Sequence, residues 1–213
     1  MTKVTGGLES MLSGKFGNMV FVQRQGKTYM RSAPTRTKDS STPRMLLNQK
    51  RFGEVMKFCG LFKSTVIPQI WNSLAVGTSG FRLFQKTNSP AFGPDGTLKD
   101  PKLLMFSKGK LALPMGIDAT SSKVQNFGRV EITTIQVSWL KDGHSGGLHL
   151  KDELLVISAA DGKYSAIMET GILRGNLKGS FELPQRPIAA THIYLFFNSM
   201  DHINYSESVC FEI

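Results

Sequence analysis

The chain has few of the residues that build disulfide frameworks or membrane spans. It has only two cysteines in 213 residues, too few for a disulfide framework, so we expect Cys59 and Cys210 to be buried thiols. The unbroken apolar runs, such as residues 193–197, are far shorter than the roughly 20 residues that a bilayer-spanning helix needs. No apolar stretch typical of a secretory signal is found near Met1. The sequence therefore predicts a cytoplasmic protein with no membrane partner.

Acidic residues are scarce in the first third of the chain. Residues 1–64 contain 12 Lys and Arg against 3 Asp and Glu, whereas residues 65–213 contain 14 against 13. The net charge of +10 is thus largely a property of the N-terminal region. Charge asymmetry of this kind favours an anionic partner or a cationic assembly surface rather than a chemical reaction.

The N-terminal region predicts a β-hairpin. Residues 18–23 and 28–31 have strand-like patterns, and the turn at 24–27 contains Gly26, which can adopt the positive φ that tight hairpin turns require. Val20 and Val22 fall on one face, and Met19 and Phe21 fall on the other. We therefore expect a hairpin that is apolar on both faces and needs a cover.

A helix is predicted after the polar linker 32–43. Thr42 is a suitable N-cap, and Pro43 suits the first helical position, where the missing N–H costs nothing. Apolar residues then recur at steps of three and four, which predicts a buried stripe made of Met45, Phe52, Val55, Met56, Cys59 and Phe62. Pro68 is expected to begin a second short helix that runs through Trp71 and Leu74.

The rest of the chain predicts a β-rich body. Residues 75–101 are rich in Gly and Pro and are interpreted as a transition. Beyond them the apolar residues alternate with polar ones, as in residues 135–139, 180–183 and 208–213, with turns at Asp142-Gly143 and Asp161-Gly162. The continuous apolar runs 154–157 and 193–197 are typical of central strands covered on both sides.

The predicted fold class is α+β and mainly β. An N-terminal hairpin and helix form a basic module over residues 1–74, residues 75–101 form a linker, and residues 102–213 form an antiparallel β-sandwich. The sandwich is immunoglobulin-like in architecture only, because the Cys, Trp and Cys spacing of true immunoglobulin domains is absent.

Several motifs, taken in order, resemble an uncharacterised family of bacterial proteins. The N-terminal motifs are Gly14-Lys-x-Gly-Asn-x-Val20, Gly26-Lys-x-Tyr-x-Arg-Ser-x-Pro34, Ser41-Thr-Pro43, Gln49-x-Arg51-Phe52 and Val55-Met-Lys-Phe58. The likeness continues through Ser107-Lys-Gly-Lys-Leu111, Val137-Ser-Trp139, Lys151-Asp-Glu-Leu154, His192-Ile-Tyr-Leu-Phe-Phe197 and Ser206-x-Ser-Val209. The resemblance implies a hairpin-and-helix head followed by a β-rich body. It implies no activity, substrate or cofactor.

No motif in the sequence predicts an enzyme. Asp142, His144, His149 and Asp152 contain metal-ligating groups, but their spacing matches no known metal-site signature, and we expect a solvated turn there. Neither cysteine has the electropositive setting of a catalytic thiol, and Ser138, Ser206 and Ser208 lack a Gly-x-Ser-x-Gly elbow. The Gly14-Lys-Phe-Gly17 segment lacks the Gly-Lys-Ser/Thr ending of a phosphate loop. We expect no metal and no cofactor, and we identify no small-molecule substrate.

Binding is the function that the sequence favours. The candidate contacts for an anionic partner are Lys15, Arg24, Lys27, Arg31, Arg36, Lys38, Arg44, Lys50 and Arg51, with Phe21 and Tyr29 as candidate stacking or interface aromatics. The preferred hypothesis is contact with a protein partner or a second copy of the chain. The alternative is binding of nucleic-acid phosphates by the same region, although no recognised nucleic-acid module is present. A second alternative is glycan binding on Trp139, Tyr164, Tyr194 or Tyr205, of which Trp139 is expected in the core and Tyr205 at an exposed turn.

Overall fold

The computed structural model describes residues 2–3, 13–35, 41–125, 131–141, 149–184 and 189–213. Over these residues the chain is α+β and mainly β, with three antiparallel sheets, as predicted. The chain divides into two compact units, Met1–Met45 and Leu46–Ile213.

The first unit contains a four-stranded antiparallel sheet. Its strands are β1 (Thr2–Lys3), β2 (Gly14–Phe16), β3 (Met19–Arg24) and β4 (Lys27–Ser32), in the order β1-β4-β3-β2. Strands β3 and β4 are joined by Gln25 and Gly26, whose φ angles of 51° and 70° are both positive, as in the type I′ turn that matches the twist of a hairpin. The predicted hairpin and the role of Gly26 are confirmed.

The helices are α1 (Pro43–Gly60), α2 (Asn72–Leu74) and α3 (Gly80–Asn88), with a π-helical turn at Ile67–Trp71. The backbone N–H of Met45 donates to Thr42 Oγ1 at 3.3 Å, so the predicted cap of α1 is confirmed. None of these helices is long and apolar enough to cross a membrane.

Only the C-terminal half of α1 is buried. Val55, Phe58 and Cys59 are its buried residues, whereas Met45 is 46% exposed and Phe52 is 57% exposed. The prediction that Met45 and Phe52 belong to the buried stripe is therefore wrong. The spacing located a face of the helix correctly, but residues 41–50 are all exposed, so packing and not periodicity decides where that face is covered.

The predicted transition at 75–101 contains helix α3. Ser79 caps this helix, because its Oγ accepts a hydrogen bond from the Arg82 N–H at 3.3 Å. Gly80 lies so close to the end of the π-helical turn that a Cβ there would approach the backbone N of Asn72 to 2.7 Å. Phe84 of α3 is fully buried, so this segment is part of the core.

The body contains two sheets. The smaller has the order β10-β6-β5 and the larger has the order β12-β11-β7-β8, with β9 also paired to β7. Their strands are β5 (Asp118–Gln125), β6 (Glu131–Ser138), β7 (Glu153–Ala160), β8 (Lys163–Tyr164), β9 (Met168–Leu173), β10 (Lys178–Glu182), β11 (His192–Asn198) and β12 (Val209–Glu212). The predicted turn at Asp161-Gly162 joins β7 to β8, with both φ angles positive. The turn predicted at Asp142-Gly143 lies outside the described residues.

Strands β7 and β11 separate two hydrophobic clusters. Alternate residues such as Leu154, Val156 and Leu195 pack with Ile135 and other residues of the smaller sheet in one cluster. The intervening residues, including Leu155, Ile157, Tyr194 and Phe196, pack in the other with the helical segments, whose contributions include Phe58, Phe62, Trp71 and Phe84. The expectation that both strands are covered on both sides is confirmed, and the second cover is a helical layer.

This helical layer places the domain boundary elsewhere than expected. The sequence assigned α1 to a basic module at 1–74, with a linker at 75–101 and a separate body at 102–213. In the structure the chain is divided into its two units between Met45 and Leu46. The reason is that the buried half of α1 and Phe84 of α3 pack in the same cluster as Leu155, Ile157 and Tyr194 of the larger sheet.

Paired truncations on β7 test the two covers. Leu154 and Leu155 are 0% and 4% exposed and belong to different clusters. We expect Leu154→Ala and Leu155→Ala each to lower the free energy of unfolding by about 2–5 kcal/mol, because each leaves a cavity. Urea unfolding measures the effect, and Lys163→Ala, at an exposed position, is the control. A near-neutral Leu155→Ala would contradict the helical cover.

Candidate functional site

The register of the N-terminal sheet sorts its side chains by type. Directly opposed residues of an antiparallel pair share a face, and residues two apart along a strand share it too. Lys15 opposes Val20, which opposes Arg31; Val22 opposes Tyr29; Arg24 opposes Lys27. We name this the cationic face, with members Lys15, Val20, Val22, Arg24, Lys27, Tyr29 and Arg31, and in the register Lys3 of β1 opposes Tyr29.

The opposite face carries the Phe and Met residues of the sheet, together with Gln23, Thr28 and Ser32. Phe16 opposes Met19, and Phe21 opposes Met30; we name these four residues the apolar face. Phe16 is 75% exposed and Met19 is 39% exposed, while Phe21 and Met30 are half-buried. The expectation of a hairpin that is apolar on both faces is therefore corrected: the face with Val20 and Val22 also carries all four cations of residues 13–35. The two candidate aromatics lie on different faces, Tyr29 with the cations and Phe21 away from them.

The cations of the cationic face have no acidic counterpart nearby in the chain. Residues 13–35 contain four Lys and Arg and no Asp or Glu. Lys15, Arg24, Lys27 and Arg31 are all exposed, and none forms an ion pair within the described part of the chain. Arg24 and Lys27 are directly opposed at the end of the hairpin, where like charges destabilise a sheet. A bound anion would relieve this repulsion.

The other predicted cations are not part of this face. Arg44 is exposed in the first turn of α1, and Lys50 is exposed in the second unit. Arg51, also in the second unit, is half-buried and donates from Nη2 to the Ser89 carbonyl at 2.8 Å, which ties α1 to the segment after α3. Arg36 and Lys38 lie outside the described residues.

One pair of the predicted metal constellation is in contact. Asp152 is 2% exposed, and its Oδ2 lies 3.1 Å from His149 Nδ1 and 3.7 Å from Arg174 Nη1. Burial raises the pKa of Asp152, against the lowering effect of the His149 and Arg174 charges. Asp142 and His144 lie outside the described residues, and within those residues no group of three or more potential ligands is arranged to hold a metal.

Arg174 gives this cluster a structural role in the sandwich. It is 5% exposed, donates from Nη1 to the Ala112 carbonyl at 2.7 Å, and lies with its guanidinium carbon 5.6 Å from the centre of the Phe197 ring. Trp139 Nε1 donates to the Arg174 carbonyl at 2.9 Å. A buried Asp can orient an imidazole for catalysis, but the described residues place no hydroxyl or thiol in hydrogen-bond contact with His149.

A surface cleft of about 510 Å³ lies beside the second half of α1. Its apolar lining comes from Phe58, Leu61, Phe92, Leu98 and Tyr164, and its charged lining from Lys50, Glu54, Lys57 and Asp95. Two of these charges already pair, since Lys57 Nζ lies 2.8 Å from Glu54 Oε1. The volume suits a small ligand, but these residues do not form a set of nucleophile, base and orienting group.

The four aromatic residues considered for glycan binding are mostly buried. Trp139, Tyr194 and Tyr205 are buried, and Tyr164 is half-buried against Phe58, Phe62 and Phe106. The expectation for Trp139 is confirmed. The expectation that Tyr205 is exposed is wrong, because its side chain packs in the helical-layer cluster. Of these four rings, Tyr164 alone is not buried, and it lines the surface cleft beside α1.

Comparisons with family models, with curated proteins and with solved structures found no match to this chain. The resemblance to a bacterial family therefore stays a prediction.

The thiol of Cys59 offers a test of the expectation that it is not a nucleophile. Cys59 is fully buried, and burial raises its pKa to about 12; Cys210 is half-buried. At pH 8 we expect Cys59 to resist a thiol reagent until the protein unfolds, because both access and thiolate are lacking. Cys210→Ser isolates Cys59 for the measurement, and urea-unfolded protein supplies the reactive control. Rapid labelling of folded Cys210→Ser would contradict this expectation.

Proposed function

We propose that this chain is a non-enzymatic binding module that contacts the phosphate groups of nucleic acid through the cationic face of its N-terminal sheet. The observation that carries the proposal is the register, which gathers Lys15, Arg24, Lys27 and Arg31 on one face with Tyr29 at its centre. Four exposed cations without acidic neighbours in their segment form a surface complementary to a polyanion.

The form of the sheet edges favours charge complementarity over strand addition. The edge strand β2 has three residues, and a short edge strand offers few free backbone groups to a further strand. The edge strand β2 also carries Lys15 on the cationic face. A protein partner that extends the sheet would therefore form few main-chain hydrogen bonds with it. The phosphates of a nucleic acid, in contrast, would gain binding energy from every cation.

Removal of the four cations tests the proposal. We expect Lys15→Ala, Arg24→Ala, Lys27→Ala and Arg31→Ala, combined in one variant, to abolish binding of labelled DNA measured by fluorescence anisotropy. If all four contact phosphates of a single strand, wild-type affinity should fall roughly 50-fold between 50 and 200 mM salt, because counterions are released on binding.

The matched control removes the same charge elsewhere. Lys86, Lys108, Lys110 and Lys163 are exposed residues of the second unit, and their combined replacement by Ala changes the net charge equally. We expect this variant to retain most of the affinity. Equal losses in both variants, or a wild-type protein that binds no nucleic acid, would refute the proposal.

A second candidate function is self-assembly through the apolar face. The observation that favours it is the exposure of Phe16 (75%) and Met19 (39%) on one side of the sheet, since exposed apolar clusters mark interaction surfaces. This candidate predicts an oligomer that persists in 0.5 M salt and dissociates on Phe16→Ser. Sedimentation analysis measures it, with Val76→Ser, at another exposed apolar position (92%), as the control. A wild-type monomer at all concentrations would exclude it.

A further inference from the structure

The arrangement on β4 bears on which nucleic acid would bind. Lys27, Tyr29 and Arg31 alternate with Thr28 and Met30, so a cation, an aromatic ring and a cation follow one another on the same face. Residues two apart on a strand are separated by about 6.6–6.8 Å, so the two cations of this row lie about 13 Å apart with Tyr29 midway.

Cations of two other strands, β3 and β2, complete two positive rows. At one end of the face Arg24 opposes Lys27. At the other end Val20 lies between Arg31 on one neighbouring strand and Lys15 on the other. Between these rows the hairpin strands carry Val22 and Tyr29, which are both half-buried, and Lys3 of β1 opposes Tyr29 in the register. A chain of phosphates that contacts both rows therefore has to pass the tyrosine ring.

We propose that the cationic face takes single-stranded nucleic acid, with an unpaired base stacked on Tyr29 and the flanking phosphates on the two cation rows. This inference rests on the proposed function. Unpaired bases present open π-faces, and positively charged surfaces with interspersed aromatic rings are the general means of binding single strands. In a duplex both faces of each base are occupied by stacking, so only phosphates and base edges remain available.

The width of the sheet argues against duplex recognition at Tyr29. A major groove of about 12 Å admits a two-stranded ribbon. Here the hairpin is flanked by a strand on each side, and the axes of the two outer strands are about 14 Å apart at the usual strand spacing. The row next to Tyr29 contains a residue of every strand, since Thr2 opposes Met30, Met30 opposes Phe21, and Phe21 opposes Gly14. This part of the sheet is therefore too broad to enter the groove.

Labelled oligonucleotides of about 20 residues, a length that exceeds the site size of a typical single-strand module, test the inference by fluorescence anisotropy. The probes are oligothymidylate, oligouridylate and a mixed-sequence DNA duplex, with polyglutamate as a competitor without bases.

We expect Tyr29→Val to weaken binding of the single strands by about 5- to 150-fold, the effect of losing one stacked base, and to leave duplex binding nearly unchanged. Tyr29→Phe keeps the ring and should bind within about twofold of wild type. Phe16→Ala, on the apolar face, is the matched control and should have no effect.

A second measurement does not depend on the fold of the Tyr29→Val variant. The chain has four tyrosines, so selective ring labelling gives a simple NMR spectrum, and Tyr29→Phe identifies the Tyr29 signal by its loss. We expect oligothymidylate to shift the Tyr29 ring signals upfield through the ring current of a stacked base, and the duplex to leave them in place. Tyr164, Tyr194 and Tyr205 serve as internal references, because they are buried or half-buried in the second unit.

The outcomes separate this inference from the proposed function. One outcome would support phosphate binding but overturn base stacking. In it the four-cation variant loses all binding, and Tyr29→Val weakens single-strand and duplex binding equally. Effective competition by polyglutamate would overturn it as well. No effect of the four-cation variant would overturn both. Either single strand, if bound with a Tyr29 shift, supports the inference, and the tighter of the two identifies DNA or RNA as the source.

Discussion

The pairing of β7 with β11 is the interaction on which the folded body depends. Seven residue pairs, from His192 opposite Ala159 to Asn198 opposite Glu153, hold one ladder whose side chains alternate between two cores. Because both sides of this ladder are apolar, hydrophobicity alone does not mark its register. Polar contacts attach each strand to a neighbouring segment: the Tyr194 hydroxyl donates to the Pro101 carbonyl at 3.0 Å, and the Ser158 N–H donates to Ser165 Oγ at 2.9 Å.

In the N-terminal sheet the alternation of side chains between the two faces separates residue types instead of filling two cores. In the body, successive apolar side chains of β7 and β11 pack in one core or the other, so both faces of this strand pair are buried. In the first unit, alternation separates Phe and Met from Lys and Arg. Opposed like charges such as Arg24 and Lys27 cost stability, and this cost is consistent with a surface shaped for a ligand.

The sequence predicted the elements whose signals are local. Thr42 and Pro43 marked the start of α1, Gly26 marked the hairpin turn, and the runs 154–157 and 193–197 marked the central strands. Helix α3 was missed because its Gly-rich surroundings suggested a linker, although Ser79 before Phe81 and Phe84 was a usable cap signal. The cationic face could have been derived from parity alone, since Lys15, Arg31 and Tyr29 follow from the hairpin register. The long-range contacts that join α1 to β7 have no comparable signal in one sequence.

The two-residue turn at Gln25 and Gly26 limits how this hairpin can change in length during evolution. Strands β3 and β4 are paired without a bulge from Met19 opposite Ser32 to Arg24 opposite Lys27. One inserted residue in either strand would invert every side chain beyond it and mix the two chemistries that the faces now keep apart. Insertions or deletions are therefore compatible with both surfaces only when each strand gains or loses two residues opposite one another. Homologues should therefore differ in the length of this hairpin by two residues per strand, with the same residue types kept on each face.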